Sequence, residues 1–318
     1  MRAALPYLLT ILCLVTLPSV LSQDKPPASA GEPLRPEWCR ELPRPEYKSL
    51  KRVNPQEEWF EIYEIRDGVY ALYEPKQFEE VISYLIIGQR RALLFDTGMG
   101  IGKISDAVHH LTKLPISVLN SHTHFDHTGG NAEFTDIFGR DTEFTRNSEK
   151  GQSNRYSKDA LAPERICGKL PSGVTDRDFS IRPFHINHFV QDETQIDLGG
   201  RNLTVLFTPG HTPDSLSLLD SDNGLLFTGD TFYRGPIYLF TPETDFNAFE
   251  KSVARLHGLL PRLKLLLPAH NVPLADPADL ERLNSAVQQV RSGNLKPVIS
   301  DGRREYKFDG FSLLLAEH

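Results

Sequence analysis

The chain has 318 residues, which is enough for one large domain or two small ones. Hydrophobic residues make up 39% of it, so it can bury a sizeable core and is not a disordered or low-complexity protein. The formal net charge of -7 leaves no general basic surface for nucleic acid, and we expect no nucleic-acid partner.

The first 22 residues have the features of a signal peptide. Arg2 is followed by an apolar run from Leu8 to Leu17, and a small-residue stretch ends at Ser22, before a predicted cleavage site at Gln23. The apolar run is short for a membrane span. We therefore predict a secreted or periplasmic protein with no stable membrane anchor after cleavage, in either a bacterial or a eukaryotic host; an uncleaved anchor is the alternative.

Residues 23–57 are rich in proline, serine and charge, and are predicted to be an N-terminal extension of a hydrolase domain at 58–318. Cleavage would leave two cysteines, Cys39 and Cys167. In an exported chain these could pair or remain free, and their spacing is not that of a metal site.

The first half of the domain alternates apolar and polar residues in short runs, as strands do. Asp67-Gly68 is predicted to be the turn between the first two strands. The strand that ends at Leu119 is followed at once by a cluster of histidines. The predicted elements are strands at 59–63, 69–73, 82–87 and 92–95, a helix at 103–111 and a strand at 116–119.

Residues 140–190 are polar and irregular, and we predict a lid or substrate-facing segment with short helices. His185 and His188 lie in it; a surface role is favoured over substrate contact. Regular periodicity resumes afterwards, and Pro277 is predicted to open the last helix, which stops at Gly293. The elements predicted here are strands at 195–198, 203–207, 215–219, 224–227, 263–267 and 311–315, and a helix at 245–260.

Residues 121–127 read SHTHFDH and place three imidazoles and one carboxylate within six positions. Such a set is typical of a metal site, because neutral imidazoles and a carboxylate are good ligands for zinc and acceptable ones for iron or manganese. A solvated histidine-rich loop is the alternative interpretation.

Metal-ligand residues recur at the ends of other predicted strands. Asp96, His211, Asp230 and His270 each follow an apolar run, as the 121–127 cluster does. Loops held by rigid strands are the usual supports of a metal site. One such residue alone would be an ordinary turn residue, but five strand ends of this kind favour a shared centre.

This ordered set resembles the metallo-β-lactamase superfamily from about residue 58 to the C-terminus. The matching motifs are FDTG at 95–98, HTHFDH at 122–127, PGHT at 209–212, TGD at 228–230 and PAH at 268–270. The resemblance implies an α/β fold, a four-layer αββα sandwich with two mixed sheets. The metal site would lie at one edge between the sheets.

The resemblance also implies a ligand set for two metal ions, which we expect to be Zn²⁺, with iron or manganese possible. Asp96 would support the site from beside the ligands. The implied ligands are His122, His124 and His211 for the first ion, Asp126, His127 and His270 for the second, and Asp230 as the bridge.

Two such ions sharing a water would lower its pKa toward neutrality, and the resulting metal-bound hydroxide would attack a carbonyl carbon or a phosphorus. Asp126 could relay a proton. We therefore predict a metallo-hydrolase that cleaves an ester, lactone, thioester or amide of a small molecule. A true β-lactamase is the alternative, although Asp230 stands where such enzymes carry cysteine or serine. A single-iron oxygenase and a catalytically idle zinc-binding protein are further alternatives.

The stretch TFYRGPIYLF at 231–240 follows the predicted bridging carboxylate and is mostly apolar, which suggests an acyl or apolar substrate. Tyr233 or Tyr238 could donate a hydrogen bond to the developing oxyanion, and Arg234 could face an anionic group. Packing within a loop is the alternative for all three side chains.

Overall fold

The structure is a computed structural model that describes residues 36–54 and 59–317. The predicted signal peptide at 1–22 lies outside the described residues. So do residues 23–35 and 55–57 of the predicted extension and residues 58 and 318 of the predicted domain.

The first sheet contains eight strands in chain order. Strands one to five pair antiparallel, whereas strands five to eight pair in parallel because helical and irregular connections return the chain to the same end. The strands are β1 (Lys51–Arg52), β2 (Glu61–Arg66), β3 (Val69–Tyr73), β4 (Ile82–Ile87), β5 (Ala92–Phe95), β6 (Ile116–Leu119), β7 (Ile137–Gly139) and β8 (His188–Phe189).

The remaining strands form two further mixed sheets. They are β9 (Gln195–Asp197), β10 (Asn202–Phe207), β11 (Leu216–Asp220), β12 (Leu225–Gly229), β13 (Gly235–Leu239), β14 (Leu265–Pro268), β15 (Val298–Ser300), β16 (Arg303–Lys307) and β17 (Phe311–Ala316). The second sheet has the order β14-β12-β11-β10-β9, and the third has the order β13-β17-β16-β15.

The main core lies between the first two sheets. Strand residues alternate between this core and the outer layers, as the two-residue period requires. Tyr84 and Phe227 point inward and their rings meet edge to face at 5.2 Å, whereas Leu85 and Leu226 point to the opposite faces. Each large apolar side chain buried in this way contributes about 1.5–3 kcal/mol.

Helices cover the outer faces and complete the predicted αββα architecture, which is confirmed. Asp245 begins the fifth helix by accepting the N–H groups of Asn247 at 2.8 Å and Ala248 at 3.1 Å. No helix in the described part of the chain is long and apolar enough to cross a bilayer. The helices are α1 (Ile104–Leu111), α2 (Phe125–Thr128), α3 (Glu143–Ser148), α4 (Asn154–Ser157), α5 (Phe246–His257) and α6 (Ala278–Arg291).

The structure adds a third sheet to the two that the sequence predicted. Residues 235–239, for which no strand was predicted, form β13, which pairs in parallel with the distant β17. The β15–β16 hairpin was not predicted either. The reason is that Pro236 and the exposed Val298 and Ile299 weaken the apolar alternation that identifies a strand.

Residues 36–54, part of the predicted extension, pack against the domain. Cys39 and Cys167 form a disulfide, with Cα atoms 5.8 Å apart. The Tyr47 ring is buried and stacks on Tyr73 at 4.3 Å. Strand β1 pairs with β2. Residues 36–54 therefore contribute a strand to the sheet and a disulfide to the segment that carries Cys167.

Candidate metal centre

All the predicted ligands meet at one edge of the two large sheets. His122, His124, Asp126 and His127 follow β6, and the others follow β10, β12 and β14. Three groups have donor atoms within 4.8 Å of one another: His122, His124 and His211; His122, His127 and Asp230; and Asp126, His127 and His270.

The first group aims three imidazole nitrogens at one point. His124 Nδ1 lies 3.0 Å from His122 Nε2 and 3.0 Å from His211 Nε2. The carbonyl of Tyr238, 2.8 Å from His211 Nδ1, can only accept, so Nδ1 carries the ring proton. The Glu243 carboxylate fixes the proton of His124 at Nε2 in the same way, at 2.8 Å. When the rings are neutral, the nitrogens that point inward carry lone pairs that face one another. The donor atoms of a metal site are arranged in this way.

Burial keeps His122 and His211 neutral. It lowers the pKa of His122 well below its ordinary value, with a further contribution from the neighbouring His127. It also lowers the pKa of His211 to about 4. Near pH 7 both rings are therefore unprotonated, as a metal ligand must be.

The second group joins two imidazoles to two carboxylates. His127 Nε2 lies 3.4 Å from Asp126 Oδ2 and 3.4 Å from Asp230 Oδ1. His270 Nε2 lies 3.1 Å from the same Asp230 oxygen, whereas the other oxygen of Asp230 is 3.5 Å from His211 Nε2. Asp230 thus turns one oxygen toward each group, as a bridging ligand would.

The field at the second group favours positive charge. Burial opposes ionisation of Asp126, yet His127 and His270 lower the pKa of its carboxyl to about 2. Burial likewise opposes protonation of His270, but Asp230 raises its pKa to about 9. In the absence of metal, protons on the two histidines compensate the carboxylates; a bound cation would do so directly.

Two buried atoms at the centre of this arrangement have no hydrogen-bond partner among the described residues. They are His127 Nε2 and Asp230 Oδ1. A buried polar atom without a partner costs about 1–3 kcal/mol. Both atoms lie among the candidate ligands, so the residues fit a metal site of the kind that nitrogen and carboxylate donors build.

Asp96 stands beside the ligands. It is fully buried and has φ of +65°, a conformation that costs a non-glycine residue energy and recurs at functional sites. One carboxylate oxygen lies 3.0 Å from Nδ1 of His127, and the other accepts the N–H of Ser121 at 2.6 Å. The structure therefore places Asp96 where a residue that orients His127 would stand.

A second buried carboxylate, Asp214, ties together two ligand-bearing loops. It accepts hydrogen bonds from Thr123 at 2.6 Å, Thr212 at 2.6 Å and Thr145 at 3.1 Å. Thr123 separates the first two histidine ligands and Thr212 follows His211. Sequence reasoning missed Asp214, although its position three residues after His211 was a usable signal.

A cavity of about 370 Å³ opens over the centre. The two predicted tyrosines both line it, but their hydroxyl groups differ in hydrogen bonding. The Tyr233 hydroxyl donates its proton to the carbonyl of Pro236 at 2.6 Å, so it cannot also donate to a substrate. Tyr238 is only partly buried, and its hydroxyl has no partner among the described residues. The oxyanion role predicted for either tyrosine therefore suits Tyr238, and the geometry does not support it for Tyr233.

Other predicted contacts lie away from the cavity. Arg234 pairs with the buried Asp279 at 3.2 Å, so its predicted role toward an anionic group is not supported. His185 is 82% exposed and pairs with Glu149, and the exposed His188 pairs with Asp136. Both histidines are surface residues, as favoured from the sequence.

Glu79, Arg165 and Glu243 line the cavity and were not predicted. They come from connections between elements, where no periodic pattern marks a functional position. Only long-range folding brings them beside the ligands.

Comparison with known proteins identifies the family of the chain. The family model described as the metallo-beta-lactamase superfamily matches residues 78–302. The acyl-coenzyme A thioesterase MBLAC2 of Gallus gallus is 26% identical over 227 residues, covering 67% of this chain and 81% of that protein. The human protein of the same name is 26% identical over 230 residues, with the same coverage. The probable metallo-hydrolase YqgX of Bacillus subtilis is 28% identical over 155 residues, 49% of this chain and 67% of that protein.

Solved structures support the fold. A metallo-beta-lactamase from Pontibacter korlensis superposes with a TM-score of 0.54 at 18% identity, covering 72% of this chain and 99% of that one. The metallo-beta-lactamase family protein TTHA1429 from Thermus thermophilus gives a TM-score of 0.54 at 21% identity, covering 76% and 85%. With the family match over most of the chain, the protein belongs to the metallo-beta-lactamase superfamily and is a metallo-hydrolase of that superfamily.

Proposed function

We propose that the protein is a binuclear zinc hydrolase that cleaves the acyl bond of a small-molecule thioester or related ester. The observation that carries the proposal is the pair of ligand groups joined by Asp230, with His127 Nε2 and Asp230 Oδ1 buried and without a hydrogen bond among the described residues. Five imidazoles and two carboxylates form a donor set that suits zinc better than harder cations, which prefer oxygen alone.

Metal ions bound here would supply Lewis acidity and acidify a water molecule. The chain's own groups would do the rest. Asp126 lines the cavity and is ionised at neutral pH, so it can accept a proton and pass it to the departing group. The Tyr238 hydroxyl can donate to charge that develops on the acyl oxygen. Glu243 and Asp96 hold the rings of His124 and His127 in place.

Thioesters are the favoured bond class for two reasons. The MBLAC2 relatives, named as acyl-coenzyme A thioesterases, align over 81% of their own length. The cavity also carries apolar surface from Phe125 and the two tyrosines, which suits an acyl chain.

We also propose that the protein is exported, to the periplasm or the outside of the cell. The predicted signal peptide motivates this proposal. The Cys39–Cys167 disulfide supports it, because such bonds persist mainly in oxidising compartments.

The test is elemental analysis of purified protein together with hydrolysis of an acyl thioester, an aryl ester, an acyl-homoserine lactone and a cephalosporin. We expect about two zinc ions per chain and chelator-sensitive hydrolysis of the thioester. His270→Ala should lose metal and activity, whereas His110→Ala, which changes an exposed histidine, should lose neither. One iron per chain without hydrolysis would refute the proposal, and turnover of the cephalosporin alone would replace it with a β-lactamase function.

A further inference from the structure

Arg165 is the one lysine or arginine that lines the cavity over the metal centre, within the described part of the chain. The other charged groups at the cavity wall are the carboxylates of Glu79, Asp126, Asp230 and Glu243 and the histidine ligands. Asp126 and Asp230 belong to the candidate metal centre, and Glu243 is hydrogen-bonded to His124. Arg165 has no role in the chemistry proposed above.

Most N–H donors of the Arg165 guanidinium have no acceptor among the described residues. Nη1 lies 3.1 Å from Glu79 Oε1, and Glu79 is the only acceptor that the described residues offer it. The Phe78 ring lies 5.8 Å from the guanidinium carbon. The side chain is 41% exposed and lines the cavity.

A nearby arginine shows what a purely structural pair looks like. Arg44 places Nε at 2.8 Å and Nη2 at 2.5 Å on the two oxygens of Glu80, so its fork is fully used. Nη2 also lies 3.2 Å from the Asn271 side-chain oxygen. Arg165 touches Glu79 with one nitrogen only, which leaves a planar edge for a second anion.

The backbone around Arg165 is held firmly, although it lies in the irregular segment 140–190. Its carbonyl accepts the N–H of Phe78 at 2.9 Å. Two residues later, the backbone N–H of Cys167 donates to the carbonyl of Lys76 at 2.8 Å, and the Cys167 side chain forms the disulfide with Cys39. The two backbone bonds tie the segment to the loop that also carries Glu79, and the disulfide ties it to residues 36–54.

We propose that Arg165 binds a carboxylate of the substrate and makes the enzyme selective for anionic acyl compounds, with the Cys39–Cys167 disulfide holding Arg165 in position. This inference rests on the proposed hydrolase function and adds the charge of the substrate to it. A carboxylate is the planar partner that a guanidinium edge fits best.

The test compares Arg165→Gln and Arg165→Lys with wild type on two matched substrate pairs. One pair is the butanoyl thioester of mercaptopropionate and that of mercaptopropionamide, with the charge on the thiol half. The other is a glutaryl thioester and its terminal amide, with the charge on the acyl half. Arg177→Gln, which removes an exposed arginine from the same segment, is the control.

We expect wild type and Arg177→Gln to favour the carboxylate member of at least one pair by about 10- to 100-fold in kcat/KM, the range for a charge-assisted hydrogen bond. Arg165→Gln should abolish that preference, mainly through KM, and leave the amide substrates within about twofold of wild type. Arg165→Lys should restore part of it. Absence of a preference in wild type, or an equal loss on both members of each pair, would overturn the proposal.

If wild type hydrolyses none of the four thioesters, the proposed thioesterase function fails, and binding then tests the inference separately. Glutarate binding to the zinc-loaded protein, measured by calorimetry, should weaken at least tenfold in Arg165→Gln and not in Arg177→Gln. Equal glutarate affinity in both variants would refute a role of Arg165 in anion binding.

The positioning role of the disulfide is tested by replacing Cys39 and Cys167 together with serine. The double variant should keep its zinc and its amide hydrolysis but lose much of the carboxylate preference. An unchanged preference would show that Glu79 and the backbone bonds suffice to position Arg165.

Discussion

The carboxylate of Asp96 joins Nδ1 of His127, at 3.0 Å, to the backbone N–H of Ser121, at 2.6 Å. One buried side chain therefore fixes both the ring of a candidate ligand and the start of the loop that carries it. Because the carboxylate demands a proton at Nδ1, Nε2 of His127 is left to face the metal centre.

Asp96→Asn keeps the shape but removes the charge. We expect metal affinity at the Asp126–His127–His270 group to fall about 10- to 100-fold, the usual effect of losing a partner behind a histidine ligand. Competition with a chromogenic chelator measures this metal affinity. Asp222→Asn, at an exposed carboxylate, should bind metal as wild type does; an unchanged affinity in Asp96→Asn would contradict the orienting role.

Tyr238→Phe and Tyr233→Phe form a matched pair. Removing the Tyr238 hydroxyl should lower kcat on a thioester by up to about 10²-fold, since a single oxyanion donor is lost. Tyr233→Phe should leave kcat nearly unchanged and lower the free energy of unfolding by about 1 kcal/mol, because its hydroxyl bonds only to the protein. Steady-state kinetics and thermal unfolding distinguish the two; equal kcat losses would contradict the assignment.

Asp214→Ala removes the acceptor shared by Thr123, Thr145 and Thr212. We expect a loss of about 3 kcal/mol in the free energy of unfolding, because buried hydroxyls lose their partner, and weaker metal binding at the His122–His124–His211 group. Denaturant unfolding and metal titration measure the two effects. Asp309→Ala, at an exposed position, is the control, and Asp214→Asn serves if the alanine variant does not fold.

Removal of the metal should make stability sensitive to alkaline pH. Asp230 raises the pKa of His270 to about 9 against the opposing effect of burial, whereas an unfolded histidine titrates near 6.5. A raised folded-state pKa stabilises the protein fully below the unfolded value, and this stability is lost as the pH rises through about 9. For His270 alone the loss is about 3 kcal/mol.

Thermal unfolding of chelator-treated protein between pH 6 and pH 10 would show this loss as a falling Tm. His270→Gln should flatten the fall in the metal-free protein. Metal-loaded protein should not show it, because the metal replaces the protons. A Tm of the chelator-treated wild type that stays level or rises over this range would contradict the prediction.

Much of the site was accessible from the sequence because its chemistry is carried by residue types at strand ends. The cluster at 121–127, together with His211, Asp230 and His270, follows apolar runs that the two-residue strand period makes visible. The structure brings these side chains together at one sheet edge. Their order along the chain also sufficed to predict the superfamily, which the family match confirms.

The surroundings of the ligands could not be predicted in this way. Glu243 lies 119 positions from His124, and Glu79 lies 86 from Arg165, so no local pattern connects either pair. The pairing of Cys39 with Cys167 was open for the same reason, since spacing gives no distance.

The sequence by itself determined the candidate ligands, the positions of most strands and the family, because hydrophobic period and ligand chemistry are local properties. Only the tertiary structure decided which tyrosine keeps a free hydroxyl, that β13 joins β17 in a third sheet, and that Arg165 stands over the metal centre. Each of these depends on hydrogen bonds and packing between segments far apart in the chain, which form only when the whole chain folds.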